Sequence, residues 1–332
     1  MKRKIAYFII RQLYNLYFGL DVLIIYPLLM LLLPSRIPYW FIEKRGDLMY
    51  RLSGKTRAKI KKAMQERLGG ERTEKEIDGL VRRYFWTQTA FFFDTYYICI
   101  MYRRKWASRF VTVEGREHLE RSLERGKGII MPTLHFPHPY HTPGYLCYLG
   151  YSVTGHAVHP RDLNVPFTAK INAWLGYRIA MLHLDLKMAW SRRGGYKTSR
   201  ERLAANSIFA VLLDSPLPDR KDLKVVDFMG KPSMFPARIT NVIYETGSPV
   251  HVGTTARDDS DWRKVTLTIS PELEMTGNPD VDLQTIVSEL SNRVLANPDQ
   301  WWGWSDIEKG TPEYHEQYKQ WKKAEGAKKK GG

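Results

Sequence analysis

From Gly128 onward, short β-rich runs alternate with helical stretches, and this alternation narrows the possible folds more than any other feature of the chain. Residues 128–134, 151–158, 178–184, 208–213, 249–256 and 265–270 read as strands. Residues near 140–149, 163–175, 196–205, 237–245 and 281–296 carry apolar positions at helical spacing. Such alternation argues for an α/β sheet with helices on its faces. Reactive groups in sheets of this kind sit just beyond the carboxyl ends of the strands.

The chain before Gly128 has a different texture. Residues 55–83 are strongly basic and helical in pattern, and a second helix opens at Thr73. It runs into an aromatic stretch holding Phe85, Trp86, Phe91, Phe92, Phe93, Tyr96 and Tyr97. Gln88 and Asp94 make that stretch too wet for a transmembrane helix, so a core helix is expected, with contact to lipid as the alternative. The first segment begins Lys2-Arg3-Lys4 and turns apolar from Leu16 to Leu33, with Asp21 and Pro27 interrupting it. A full membrane span needs about 20 predominantly apolar residues. The interrupted run reads as a monotopic attachment, with a buried core helix as the alternative. No small-residue cleavage site follows Leu33, which argues against a secretory signal. The expected division is an attachment segment over 1–54, an α/β domain over 55–310, and a basic, partly disordered tail over 311–332.

Charge separates the partner classes. The chain of 332 residues carries a net charge of +16. Residues 1–130 hold 26 Lys and Arg against 13 Asp and Glu, whereas the rest is nearly balanced. Cations flanking apolar segments suit an anionic membrane surface, each contributing about 1 kcal/mol. No recognisable nucleic-acid module accompanies them, so nucleic acid is not expected as a partner. Two cysteines, Cys99 and Cys147, offer neither a disulfide framework nor metal-ligand spacing.

The first strand ends in Pro132-Thr-Leu-His135-Phe-Pro137-His138-Pro139-Tyr140-His141. A histidine at a strand-to-loop transition is well placed as a general base, because its ordinary pKa lies near working pH. Pro137 and Pro139 deny the segment a regular helix and hold it extended. The spacing of His135, His138 and His141 therefore does not converge on a metal, and no carboxylate or cysteine lies close in sequence.

Here the chain resembles the late (lauroyl/myristoyl) acyltransferases of lipid A biosynthesis, within the lysophospholipid acyltransferase-like superfamily. Gly128–His135 matches the strand and histidine of the family's His-x4-Asp/Glu motif. His159-Pro160-Arg161 with Asn164, Leu213-Asp214, Val226–Pro232 with Phe235-Pro236-Ala237, Glu245–Val250 and Asn297–Trp302 resemble later family segments in order. The third of these resembles the family's phenylalanine-glycine loop. The resemblance implies a mixed sheet flanked by helices and a location on the cytoplasmic face of a bacterial inner membrane. It implies direct acyl transfer without a cofactor. His135 would deprotonate an acceptor hydroxyl or amine, which attacks the thioester of acyl-carrier protein or acyl-CoA. His159, Arg161 and Asn164 would line the substrate site, with Arg161 as the cation for the developing oxyanion.

Two positions depart from the family. The acid expected five residues after the histidine is Tyr140, and the basic residues expected after the tryptophan segment are absent from Trp304-Ser-Asp-Ile. Three readings of Tyr140 stand open: Asp214 reaches the histidine from another strand end, His138 or His141 shares the base role, or the chain binds lipid without catalysis. For the acyl chain, the aromatic helix around 91–93 and the apolar N-terminus are the expected walls. No Gly-x-Ser-x-Gly pattern occurs, so a covalent serine mechanism is not expected.

Overall fold

The computed structural model describes residues 20, 24–33, 36–70, 72–103, 107–162, 170–171, 173–174, 177–178, 186–191, 193–214 and 220–330. Among the described residues helices come first: α1 Tyr26–Leu32, α2 Arg36–Leu52, α3 Gly54–Leu68 and α4 Glu74–Arg103, with a single helical turn at Ala107–Phe110. Then follow β1 Val111–Glu114, α5 Arg116–Leu123, β2 Ile129–Thr133, α6 His141–Tyr148, β3 Val153–Ala157, β4 Lys187–Trp190, α7 Gly195–Ala204 and β5 Ile208–Leu212. The remainder comprises β6 Leu223–Phe228, β7 Lys231–Pro236, α8 Arg238–Thr246, β8 Gly253–Arg257, β9 Val265–Ile269, α9 Pro279–Ala296 and α10 Pro312–Lys330.

The central sheet runs β2-β5-β3-β4 with every neighbouring pair parallel. A second sheet, β1-β9-β8, pairs β1 with β9 in parallel and β8 with β9 antiparallel. A parallel bridge between Ile130 and Val250 joins the two sheets edge to edge. Ile130, Phe209 and Val211 face one apolar cluster, and Ile129, Met131 and Ala210 face the other. Both faces of these strands are thus buried, which explains why they read as continuous apolar runs instead of alternating ones.

Local chemistry accounts for the element ends. Thr73 and Glu76 form a reciprocal capping box at the start of α4: Thr73 N donates to Glu76 Oε2 at 2.7 Å, and Glu76 N donates to Thr73 Oγ1 at 3.3 Å. Asn278 caps α9 with Oδ1 accepting from Asp280 N at 3.1 Å, and Pro279 occupies the first helical turn. Gly128 enters β2 with φ at +62°, where an added Cβ would stand 2.6 Å from the carbonyl oxygen of Ser207. Only glycine fits there without strain.

Several expectations are revised. The segment resembling the phenylalanine-glycine loop is a β-hairpin: β6 and β7 pair antiparallel around Met229-Gly230. Both turn residues have positive φ, 54° and 74°, as a primed two-residue turn requires. Met229 accepts this backbone because its side chain is buried in the core. The strand expected over 178–184 falls mostly outside the described residues, and the strand found in that region is β4 at Lys187–Trp190. In the 249–256 region only Gly253 onward forms β8. Residues 322–330, expected to lack order, continue α10.

Tyr84, Phe85 and Phe93 of α4 are buried, so this part of the aromatic stretch packs into the core as expected, while the side chains of Phe92, Tyr96 and Tyr97 lie outside the described set. Most of the first 34 residues lie outside the described set, the apolar run from Leu16 included only in part. Among the described residues no helix is long and apolar enough to cross a membrane.

Candidate active site

The parallel register of β2 and β5 builds the centre of the site. Thr133 is aligned with Leu212. Two residues further along each chain stand His135 and Asp214, side by side beyond the carboxyl ends of neighbouring strands. His135 Nδ1 lies 2.7 Å from Asp214 Oδ1, and the backbone N–H of His135 donates to Asp214 Oδ2 at 2.9 Å. Trp301 Nε1 adds a third donor to Oδ2 at 2.9 Å. Asp214 is buried, at 2% side-chain exposure, while His135 keeps 20%. The acid that the sequence lacks at Tyr140 therefore comes from a second strand, and the carboxylate stands fully hydrogen-bonded in the interior.

Loop geometry holds the histidine. The carbonyl of His135 accepts from Trp302 N at 3.0 Å, and the carbonyl of Phe136 accepts from Thr255 Oγ1 at 3.0 Å. With Pro137 and Pro139 fixing the path beyond, the backbone under the imidazole has little freedom.

Electrostatics follow from this packing. Burial alone would depress the His135 imidazole. The charge and hydrogen bond of Asp214 outweigh it and raise His135 above the ordinary histidine value. Burial alone would likewise raise Asp214, but His135 and the indole N–H hold its carboxyl below the ordinary aspartate value. Asp214 is therefore ionised at neutral pH, and Nδ1–H of His135 donates to it. That tautomer leaves Nε2 as the basic nitrogen.

A cavity of about 360 Å³ opens on the pair. Its apolar wall is formed by Phe228, Met234 and Phe235 of the β6–β7 hairpin with Trp301, Trp302 and Ile307, and Ser305, Asp306 and Lys309 stand among its polar residues. Of the acyl walls expected around 91–93, Phe93 is buried and Phe91 stacks on Trp302 with ring centroids 4.5 Å apart, and the apolar N-terminus lies mostly outside the described residues. The apolar wall of this cavity is formed by the hairpin and the 301–310 segment.

The other predicted residues have different fates. Tyr140 packs edge-on to Tyr177 at 5.6 Å, and its backbone N–H donates to His138 Nδ1 at 3.1 Å. His138 and His141 are buried beneath the loop. Burial, with the nearby Arg257 cation, pushes both well below the ordinary histidine value, so both are neutral near pH 7. Neither lines the cavity. Arg161 is exposed on the turn Pro160–Asp162, and His159 packs against Trp190 at 4.8 Å; the cavity is lined by neither. Asn164 and the turn over 215–218 lie outside the described residues.

Sequence reasoning passed over two features. One is a buried ion pair between Arg257 of β8 and Asp94 of α4. Tyr39 Oη donates to Asp94 Oδ1 at 2.9 Å. The other is the grip of α4 on Trp302. Tyr84, Gln88 and Phe91, at i, i+4 and i+7, respectively donate to its carbonyl at 3.1 Å, accept from its indole N–H and stack on its ring. That helical spacing was present in the sequence, but nothing local showed what it would meet.

A strand-end histidine, hydrogen-bonded to a buried carboxylate and facing an apolar cavity, defines an α/β enzyme equipped for proton transfer on an apolar substrate. The sequence profile of the bacterial lipid A biosynthesis acyltransferases matches residues 6–304, and the chain belongs to that family. Acyl transfer to a lipid acceptor is the activity the family carries. No curated protein sequence matches the chain.

Proposed function

We propose that this protein is a membrane-associated transferase that moves a fatty acyl group from an acyl thioester, of acyl-carrier protein or acyl-CoA, to a hydroxyl or amine of a lipid or glycolipid. The observation that carries the proposal is the His135–Asp214 pair opening on an apolar cavity. His135 Nε2 takes the acceptor's proton as its oxygen or nitrogen attacks the thioester carbon. Asp214 stabilises the imidazolium. Collapse of the tetrahedral intermediate breaks the C–S bond, and the imidazolium returns its proton to the departing thiolate. The acyl chain lies against Phe228, Met234 and Phe235, each buried CH2 contributing about 0.8 kcal/mol.

A surface on α2 supports the membrane setting. Ile37, Trp40, Leu48 and Leu52 recur at helical spacing on its outer side, with Trp40 58% and Leu52 72% exposed. Lys44 lies over the Trp40 ring, so apolar and cationic groups share one face. That combination fits the interface of an anionic bilayer on the cytoplasmic side of a bacterial inner membrane.

The test is acyl-thioester turnover by purified protein with a mixed membrane-lipid extract, read by mass spectrometry. Wild type should yield a new acylated lipid, and His135→Ala should yield none while keeping its fold. Bound lipid without any product from wild type would instead mark a non-catalytic lipid-binding protein.

A further inference from the structure

Acyl transfer places a negative charge on the carbonyl oxygen, and the His135–Asp214 pair contains nothing to receive it. A second group must donate hydrogen bonds to that oxygen. Arg161, the cation expected from sequence for this task, stands apart from the cavity. The cavity that holds His135 and Asp214 is also lined by Gln88 of α4.

The orientation of the Gln88 amide is set by chemistry. An indole N–H can only donate, so the amide atom that meets Trp302 Nε1 is the oxygen, Oε1. The NH2 group is thereby directed away from Trp302. Gln88 Nε2 is buried and has no hydrogen-bond partner among the described residues. A buried donor without an acceptor is costly, and a ligand atom that accepts from it is one reason to retain it. The helix holds it in place: Tyr84 one turn before and Phe91 nearly one turn after Gln88 bind the same tryptophan. Trp302 N in turn donates to the carbonyl of His135. His135 and Gln88 are therefore tied to one residue, and both line one cavity.

Resting on the acyl-transfer reading above, we infer that Gln88 is a catalytic residue, its Nε2 donating to the thioester carbonyl oxygen as that oxygen becomes negative. The electron pair of the C=O π bond moves onto oxygen as the acceptor–carbon bond forms. It returns as the C–S bond breaks and the thiolate leaves. Gln88 keeps its protons throughout and stabilises the intermediate through the hydrogen bond alone. Trp302, through its indole N–H, positions the amide.

The experiment compares wild type, Gln88→Leu, Trp302→Phe and the double variant, with palmitoyl-CoA as donor and a membrane-lipid extract as acceptor. Loss of a single oxyanion donor lowers kcat by about 10²–10³-fold. Gln88→Leu should show that loss with KM within about threefold of wild type, since the bond strengthens only in the transition state. Binding of the non-hydrolysable palmitoyl-CoA thioether should be unchanged, which separates this outcome from misfolding. Trp302→Phe keeps the stacked ring and should lose part of kcat, and it should cost little further once Gln88 is Leu. A Gln88→Leu enzyme with wild-type kcat, or one whose loss appears as weakened thioether binding, overturns the inference and leaves the acyl-transfer reading standing. No turnover by wild type with palmitoyl-CoA or palmitoyl-acyl-carrier protein overturns both.

Discussion

Asp214 accepts three N–H donors, and the two that come from His135 fix both the ring and its backbone against one carboxylate. Replacing it by Asn keeps the shape but removes the charge and allows the wrong histidine tautomer. In triad enzymes that change costs about 10⁴-fold in kcat, and Asp214→Asn is expected to lose several powers of ten here. The sign of the pH effect follows from the cause. A general base works when unprotonated, so activity should rise with pH through a value above that of ordinary histidine. Removing the carboxylate that raises His135 shifts this acidic limb of the kcat/KM profile to lower pH. A pH–rate profile of residual activity checks it, and an unmoved limb would remove Asp214 from the proton-transfer step. His135 was legible in sequence because it ends a strand. Asp214 was legible only as a candidate, since it is 79 positions away and only the strand register brings the two together.

The β6–β7 hairpin shows where reading at the level of elements stops. The loop expected over Val226–Pro232 comes from the family resemblance, and its Gly and Pro among mixed polar and apolar residues show no strand alternation. The pairing is set instead by Met229 taking a positive φ beside Gly230, a choice that depends on the core receiving the methionine side chain. β2 and β5 of the central sheet, by contrast, announced themselves as apolar runs because both their faces are covered. The hairpin supplies one wall of the cavity, with Met234 on it. Met234→Trp should shorten the preferred acyl chain, because the added ring volume occupies space that terminal methylenes need. Turnover of a series of acyl-CoA chain lengths measures this: short chains should remain close to wild-type kcat/KM, while long ones fall by tenfold or more for each about 1.4 kcal/mol of lost burial. An unchanged chain-length profile would move the acyl chain elsewhere.

Across the whole molecule, the helices that precede the sheet are tied to it at depth by Arg257 and Asp94, with side-chain exposures of 1% and 2%. Burial disfavours the guanidinium, but Asp94 and Tyr39 raise Arg257 and keep it charged. Breaking a buried pair strands the remaining charge, at a cost of about 3–5 kcal/mol. Asp94→Ala is expected to destabilise the protein by that order in denaturant unfolding, and Asp94→Leu with Arg257→Met by much less. Equal losses in the single and double variants would show the pair to be replaceable packing only. Nothing in the sequence marks these two as partners, since they stand on a helix and a strand 163 positions apart. The division between a basic first half and an α/β second half was readable from composition, but the joint between them was not.

The Trp301–Trp302 segment has a bearing on how the protein is made. Chains acquire structure from the N-terminus as they are synthesised, and His135, Asp214 and the sheet that carries them all precede residue 300. The indole that completes the carboxylate's shell, one wall of the cavity and the tether on Gln88 are made only after residue 300. If the proposed acyl transfer holds, a growing polypeptide with its sheet assembled would still be inert towards thioesters. On the acyl-transfer reading, the site is complete only once Trp301 and Trp302 have packed against Asp214 and Gln88.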